Sequence, residues 1–357
     1  MDFDQTEDRR MLAETLNRFL ADRYDIATRN TVAYDAPWHS PDLWAQMAEL
    51  GILHALADED HGGMGGTGFD ITTVFEELGR ALCPEPVLGA LMGLRLLSAA
   101  GAETEAVLEG TERLAVAIAE PEAPWGLDHL ETRASKAGDG WALTGRKSVV
   151  YGGPSATRFL VAALEGDMLG LYEVAAGDAR ITPYGMVEGG GAAELFLDAS
   201  PAKRLIPDAR TALQDALNAG MIALCAEAVG VAERMKEMLL EHLKTRTQFG
   251  RTIGSFQALQ HRTVDLVTEI EQMRSITILA ADALGGPEAD RKAAMAKNLI
   301  GRAGRLMSEE TMQMHGGIGV TWEAAVSHYA KRIVMIDAQL GDTDYCLSQV
   351  MEGLQVA

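Results

Sequence analysis

From Glu7 to about Glu112 apolar residues recur at three- and four-residue steps. Met11, Leu12, Leu16, Phe19 and Leu20 mark one stripe and Leu43, Met47 and Leu50 another, a spacing that predicts helices. The run DEDHGGMGGTGFD, Asp58 to Asp70, breaks that pattern. From Leu114 to about Ile206 the period shortens. LAVAIAEP, AGDGWALTGRKSVVYGG, RFLVAALEGD, MLGLYEV and AELFLD read as strands between turns, and GDG between two strand-like runs signals a hairpin. This zone predicts an antiparallel sheet or barrel of roughly seven strands. Beyond Leu213 helical spacing returns in longer runs: Leu213 to Thr245, Phe256 to Leu284 and Glu288 to Met314, with shorter ones after Trp322. Phe256, Leu259, Leu266, Ile270, Met273 and Ala280 stripe the second run, whereas Ala216 to Ala232 is apolar nearly all round. Three helices of about 25–30 residues with short connections predict an antiparallel bundle. The expected fold class is α+β, mostly α, with a helical part at 1–112, a strand part at 113–210 and a helical bundle at 211–357.

Composition changes this picture little and limits function more. With 47% hydrophobic and 23% charged residues, the 357-residue chain is long enough for a large buried core. The net charge is -21, and residues 1–112 carry seven Arg and no Lys against 21 Asp and Glu. Such a surface repels phosphate backbones and anionic lipid, so neither nucleic acid nor membrane is an expected partner. Cys83, Cys225 and Cys346 lie far apart without a CxxC pair, and the histidines have no ligand spacing, so no disulfide framework or metal site is expected. The acidic start MDFDQTEDRR lacks a basic region followed by an apolar one, and a cytoplasmic location is expected. The 17 methionines are scattered through apolar positions and read as core packing.

Two segments carry candidate chemistry. TRTQFGRTIGSFQ, Thr245 to Gln257, joins two helical runs with two arginines, two phenylalanines, two glutamines and two glycines, more planar and charged groups than a corner needs. QMHGGIGV, Gln313 to Val320, ends the third long run with adjacent glycines, which free backbone N–H groups to approach an anion. Each has an ordinary alternative: solvated arginines beside a stapled corner for the first, a helix C-cap for the second.

Together, and in this order behind a helix–strand–helix pattern, the segments resemble the acyl-CoA dehydrogenase family. TEDRRMLAETLNRFL, ELGILHALADEDHGGMGG with FEELGR, GDGWALTGRK, RTQFGRTIGSFQALQHRTVD and QMHGGIGVTWE all follow the family's order and spacing, over essentially the whole chain. Within the family the chain looks most similar to the small subunits of pimeloyl-CoA dehydrogenase and related two-component enzymes, through IALCAEAVG, HLKTRTQFG and LGDTD. The resemblance implies an N-terminal helical domain, a middle β-barrel, a C-terminal four-helix bundle, and FAD at a subunit interface. It implies that Arg246 and Gln248 meet the FAD pyrophosphate, that Phe249 flanks the dinucleotide, and that Gln313, Gly316 and Gly317 hold the adenosine half, all on a cofactor carried by the neighbouring subunit.

The chain departs from the family where the flavin ring and the base belong. The family's TEPxAGSD turn reads AEPEAPWGLD, Ala119 to Asp128, and its WITN-like strand reads VVYG, Val149 to Gly152, with Tyr151 in place of a threonine. The catalytic glutamate of most relatives matches Leu340, the alternative position on the first bundle helix matches Gly220, and an arginine usual after it is Met221. Asp342 is the nearest acid and reads more readily as a helix cap. Three functions follow as expectations. The first is a small, non-catalytic subunit completing the FAD adenosine site of a larger acyl-CoA dehydrogenase in an α2β2 assembly, with acyl-CoA as substrate and electron-transfer flavoprotein as acceptor. The others are a self-sufficient homo-oligomer using Asp342, and a non-enzymatic acyl-CoA or assembly protein on the same scaffold.

Overall fold

The computed structural model describes residues 6–355; the acidic opening at 1–5 and residues 356–357 lie outside the described residues. The first elements are helices: α1 Glu7–Arg23, α2 Ile26–Tyr34, α3 Pro41–Glu49, α4 Ile52–Ala55, α5 Gly68–Ala81, α6 Val87–Ala99 and α7 Glu105–Leu108. Their starts are encoded locally. Thr6, Asp25 and Ser40 accept from the first free N–H groups of α1, α2 and α3, and Thr67 with Asp70 forms a reciprocal capping box on α5. The glycine-rich breaker supplies the short turn and loop that lead into that box.

Seven strands follow: β1 Leu114–Ala117, β2 Arg133–Ala137, β3 Gly140–Tyr151, β4 Arg158–Glu165, β5 Met168–Ala175, β6 Arg180–Gly185 and β7 Gly191–Ile206. Two-residue turns at 138–139 and 166–167 close the β2–β3 and β4–β5 hairpins, and each begins with a glycine at positive φ, 58° at Gly138 and 62° at Gly166. β2, β3, β7, β5 and β4 form a closed five-stranded sheet, completed where Arg133 of β2 pairs with Leu164 of β4. β1 adds to β4 and β6 to β7. The sheet is mixed rather than antiparallel throughout. β1 and β2 both run parallel to β4 because long connections, not hairpins, join them to it.

The remaining elements are α8 Arg210–Thr245, a small hairpin of β8 Thr247–Gln248 and β9 Arg251–Thr252, then α9 Gln257–Ala283, α10 Ala289–His315, α11 Ala325–Ala338 and α12 Thr343–Gln355. α10 packs on α8, α9, α11 and α12. α8 is long and apolar enough to cross a membrane, yet 94% of its apolar window is buried, with α5, α6, α9, α10 and α11 around it. That enclosure explains why its sequence is apolar on every side.

Two glycines set the crossing that positions the site. A Cβ on Gly79 of α5 would lie 2.1 Å from the Glu227 carbonyl oxygen, and one on Gly230 of α8 would lie 2.0 Å from that of Glu76. The helices therefore touch backbone to backbone, a separation no larger residue permits. One apolar core runs from Leu16 and Trp44 through α8 to Ile300 and Ile336, and a second fills the closed sheet with Trp141, Phe159, Val161, Tyr172 and Leu195.

Candidate cofactor site

The hairpin after α8 is a tight two-residue turn. Gln248 pairs with Arg251, and Phe249 and Gly250 between them both have positive φ, 53° and 76°. Glycine takes this conformation without strain; phenylalanine does not. The turn holds the Phe249 ring out in solvent at 91% exposure, touching Phe256 edge-on at 6.2 Å, while Arg251 lies 4.0 Å over the Phe256 ring. Arg246 and Gln248 are also exposed, and the Arg246 guanidinium has no hydrogen-bond partner among the described residues.

The glycine turn sits beside this hairpin. At the end of α10 the His315 ring stacks on His242 of α8, centroids 4.6 Å apart, one turn before Arg246. His315 Nδ1 lies 2.9 Å from the Thr311 carbonyl and holds the ring in place. Burial, then His315 and Arg246, hold the His242 imidazole below its ordinary pKa and so favour its neutral form. Gln313, Gly316 and Gly317 are exposed, and Cβ atoms on the two glycines would meet nothing within 4 Å. Only Gly316, at φ 67°, needs glycine for its own conformation; Gly317 packs against nothing, which leaves room for a ligand. The Gly316 N–H is taken by the Met312 carbonyl, so what this end of the bundle offers is an exposed guanidinium, exposed amides and glycines with open space beside them, which fit a diphosphate joined to a purine nucleoside.

The other half of the expected site is a cavity of about 500 Å³ between α6, the sheet and the α11–α12 corner, lined by Met92, Ile118, Trp125, Tyr151, Tyr184 and Leu340 among others. Most of its polar groups are already bonded within the chain. Glu194 Oε1 accepts from the Ser148 hydroxyl at 2.9 Å, from Tyr184 at 3.1 Å and from the Val149 N–H at 3.4 Å. Val149 itself is strained, a β-branched residue at φ 49° where the β3–β7 register shifts. Glu120, which sequence reasoning passed over, is the one carboxylate lining the cavity among the described residues. It accepts from the backbone N–H groups of Glu131 at 2.6 Å and Thr132 at 3.0 Å and from buried Lys147 at 2.7 Å. Burial disfavours its charge, but Lys147 and those N–H groups hold it below the usual carboxylate range, while burial lowers Lys147 to about 8. The Trp125 indole donates to the Ala338 carbonyl at 3.0 Å and its ring lies against Tyr345, which fastens the altered turn to the α11–α12 corner.

Tyr151 separates this cavity from a smaller one of about 100 Å³. Behind it Arg332 of α11 grips Glu227 through two 2.6 Å bonds, reaches Glu188 at 3.4 Å and donates to Gln339 at 2.9 Å. Burial opposes the Arg332 charge, but Glu227 and Glu188 hold it above its usual range; burial also pushes Tyr151 up to about 12. Glu227 is thus a bonded buried acid. A lone acid in an apolar run signalled as much, although its partner lies 105 residues on.

The two expected base positions meet in space. Leu340, at φ 57°, puts its Cδ1 2.6 Å from where a Cβ on Gly220 would lie, so either position serves the same spot and neither carries a carboxylate. Asp342 lies at the start of α12, where its Oδ1 accepts from the Tyr345 N–H at 2.8 Å. Met221 is buried in the core.

Residues 6–105 match the N-terminal domain of acyl-CoA dehydrogenases, and residues 210–355 match their C-terminal domain. The chain belongs to the acyl-CoA dehydrogenase family. It is similar to the acyl-CoA dehydrogenase IpdE2 of Mycobacterium tuberculosis, 31% identical over 91% of each chain. It is also similar to the 3-sulfinopropanoyl-CoA desulfinase of Paraburkholderia xenovorans, 28% identical over 89% of this chain and 88% of that one. Among solved structures, the ChsE4–ChsE5 complex of M. tuberculosis superposes with a TM-score of 0.92 over the full length of both chains at 25% identity.

Proposed function

We propose that this chain is the smaller, non-catalytic subunit of a heteromeric FAD-dependent acyl-CoA dehydrogenase, and that it completes the adenosine end of the cofactor carried by a larger subunit. The observation that carries the reading is the contact between Leu340 and Gly220. α,β-Dehydrogenation of an acyl thioester to a trans-2-enoyl thioester needs a carboxylate at the α-carbon, and both positions that could present one are apolar. Glu120 does not replace it, because Lys147 and two backbone N–H groups already donate to it and its affinity for a proton is lowered. The flavin's chemistry, where it is bound, is acceptance of the β-hydrogen as hydride.

This chain's own groups act at the other end. Arg246 pairs with the diphosphate, Gln248 and Gln313 donate to it and to the adjoining sugar or base, Gly316 and Gly317 let the backbone approach, and Phe249 covers one face. Phe249, Ile318, Val320 and Trp322 leave large apolar surface exposed in these same two segments, as a surface that another chain covers would. One relative of known structure, ChsE4–ChsE5, is a complex of two named chains, in keeping with a heteromeric assembly. An α2β2 assembly in the cytoplasm, passing electrons to electron-transfer flavoprotein, completes the proposal.

The test is a dye-coupled assay of the pure chain across a panel of acyl-CoA thioesters, alone and co-expressed with a larger dehydrogenase subunit that has an intact flavin turn and glutamate. A positioned base contributes about 10²–10⁴-fold, so the chain alone should show no turnover and the pair should. Robust turnover by the chain alone, lost in Glu120→Gln or Asp342→Asn, favours the self-sufficient reading instead.

A further inference from the structure

The glycine turn does not end at Gly317. The chain runs on through Ile318 and Val320 to Trp322 before α11 begins; these three side chains lie 61%, 72% and 57% exposed, so Ile318 and Val320 contribute little packing and Trp322 only one side of its ring. What holds it is a cluster on the side facing the protein. His328, one turn into α11 and fully buried, places Nε2 2.9 Å from the Trp322 carbonyl and Nδ1 2.9 Å from the Tyr34 hydroxyl of α2. Lys331 donates to that hydroxyl at 2.6 Å and lies 4.7 Å from both the Tyr34 and the Trp322 ring centres. The Trp322 ring packs on Tyr34 at 4.8 Å and stands edge-on to His328 at 4.9 Å.

The hydrogen positions follow from donor and acceptor capacity. An ammonium only donates, so the Tyr34 oxygen accepts from Lys331 and its own hydrogen points to Nδ1. Nε2 then carries the ring proton and donates to the Trp322 carbonyl. The Asn30 amide nitrogen, 3.2 Å from Nε2, is itself a donor whose oxygen accepts from Arg29, and it lies beside the ring without bonding it. Lys331, Tyr34, His328 and Trp322 thus form one directed chain of donors from α11 through α2 to the backbone of the turn.

We propose that His328 is the positioning residue of the glycine turn: through Tyr34 and the Trp322 carbonyl it fixes the 316–324 segment against α2, so the first helices set the geometry of the cofactor-facing loop. That this loop faces a cofactor rests on the function proposed above; the link itself does not. The segment reports its own opening, because the amides of Gly319, Thr321 and Ala324 donate to carbonyls inside it.

Hydrogen exchange by mass spectrometry on the free, full-length chain tests the link without FAD or a partner, so failure of the half-site reading and failure of this inference give different results. His328→Asn reaches toward Tyr34 but falls short of Trp322, and should speed exchange across 316–324 by about 5- to 10-fold with a red shift of Trp322 emission. His328→Gln can still carry an N–H to the Trp322 carbonyl and should stay within about twofold of the parent. Tyr34→Phe keeps the ring but frees the tautomer, and should fall between; it decides the matter if His328→Asn does not fold. Unchanged protection in both His328→Asn and Tyr34→Phe overturns the proposal. So does equal loss in the Asn and Gln variants, or loss spread evenly over α2 and α11, which would mark His328 as packing only.

Discussion

The two ends of the candidate site differ in what their polar groups do. At the hairpin and glycine turn, Arg246, Gln248 and Gln313 stand exposed, and the backbone at Gly316 and Gly317 is open. Around the cavity beside Tyr151 most are taken up: Glu194 collects three donors, Glu120 collects three, and Arg332 joins Glu227, Glu188 and Gln339, while Glu188 Oε2 is left without a partner among the described residues. Unmet hydrogen-bonding capacity on the surface is cheap because water satisfies it; the same capacity in a cavity is not. A cavity whose carboxylates are largely bonded within the chain has less to offer a flavin ring, whereas the open end is furnished for a ligand that the chain does not enclose.

The comparison breaks most visibly where the closed network is cut. Arg332→Ala leaves Glu227 and Glu188 buried without their cation, and should cost about 3–5 kcal/mol in denaturant unfolding. Arg332→Met with Glu227→Gln should recover part of it, since only Glu188 is then left without its cation. At the open end stability should hardly change and binding should. Arg246→Ala removes a charge-assisted phosphate contact and should weaken FAD retention by the co-expressed heteromer about 10- to 150-fold, read by flavin release on dilution, with the denaturation midpoint unmoved.

A smaller effect separates the two ends by pH. Burial, followed for His242 by His315 and Arg246, holds His242 below its ordinary value of 6.5; burial outweighs the Trp322 carbonyl at His328, where Lys331 and Arg29 also lower the pKa. The neutral rings are favoured in the folded state, so their contribution is fully present above about 6.5 and is lost as pH falls through the window beneath it. FAD release should rise a few-fold between pH 7 and pH 5, and His242→Gln should flatten that rise. Equal release at both pH values would detach the stack from the cofactor end.

Much of this was legible in the chain because it is local. The GDG hairpin, the cap at Asp342 and the limits of α8, α9 and α10 to within a few residues follow from near neighbours; the caps at Thr6, Asp25, Ser40 and Thr67 are equally local but were not read. The apolar substitutions at Leu340 and Gly220 could be read too, but not that they touch. What escaped is long-range pairing. Arg332 finds Glu227 across 105 residues and His328 finds Tyr34 across 294, and no spacing rule reaches so far. Glu120 escaped for another reason: in the sequence it is one acid in an altered turn, and only the folded loop brings Lys147 and two backbone N–H groups onto it. The mixed sheet was missed because strand runs reveal hairpins, not crossovers.

The central claim is that this chain offers half a flavin site, and flavin stoichiometry tests it most directly. The chain and its larger partner are co-expressed and purified as one complex, denatured, and the released FAD is measured by absorbance against total protein. The account predicts one FAD for each pair of unlike chains, two in an α2β2 assembly, and a colourless preparation when this chain is purified alone. One FAD per polypeptide, or a yellow homo-oligomer of this chain with flavin in the Tyr151 cavity, would contradict it.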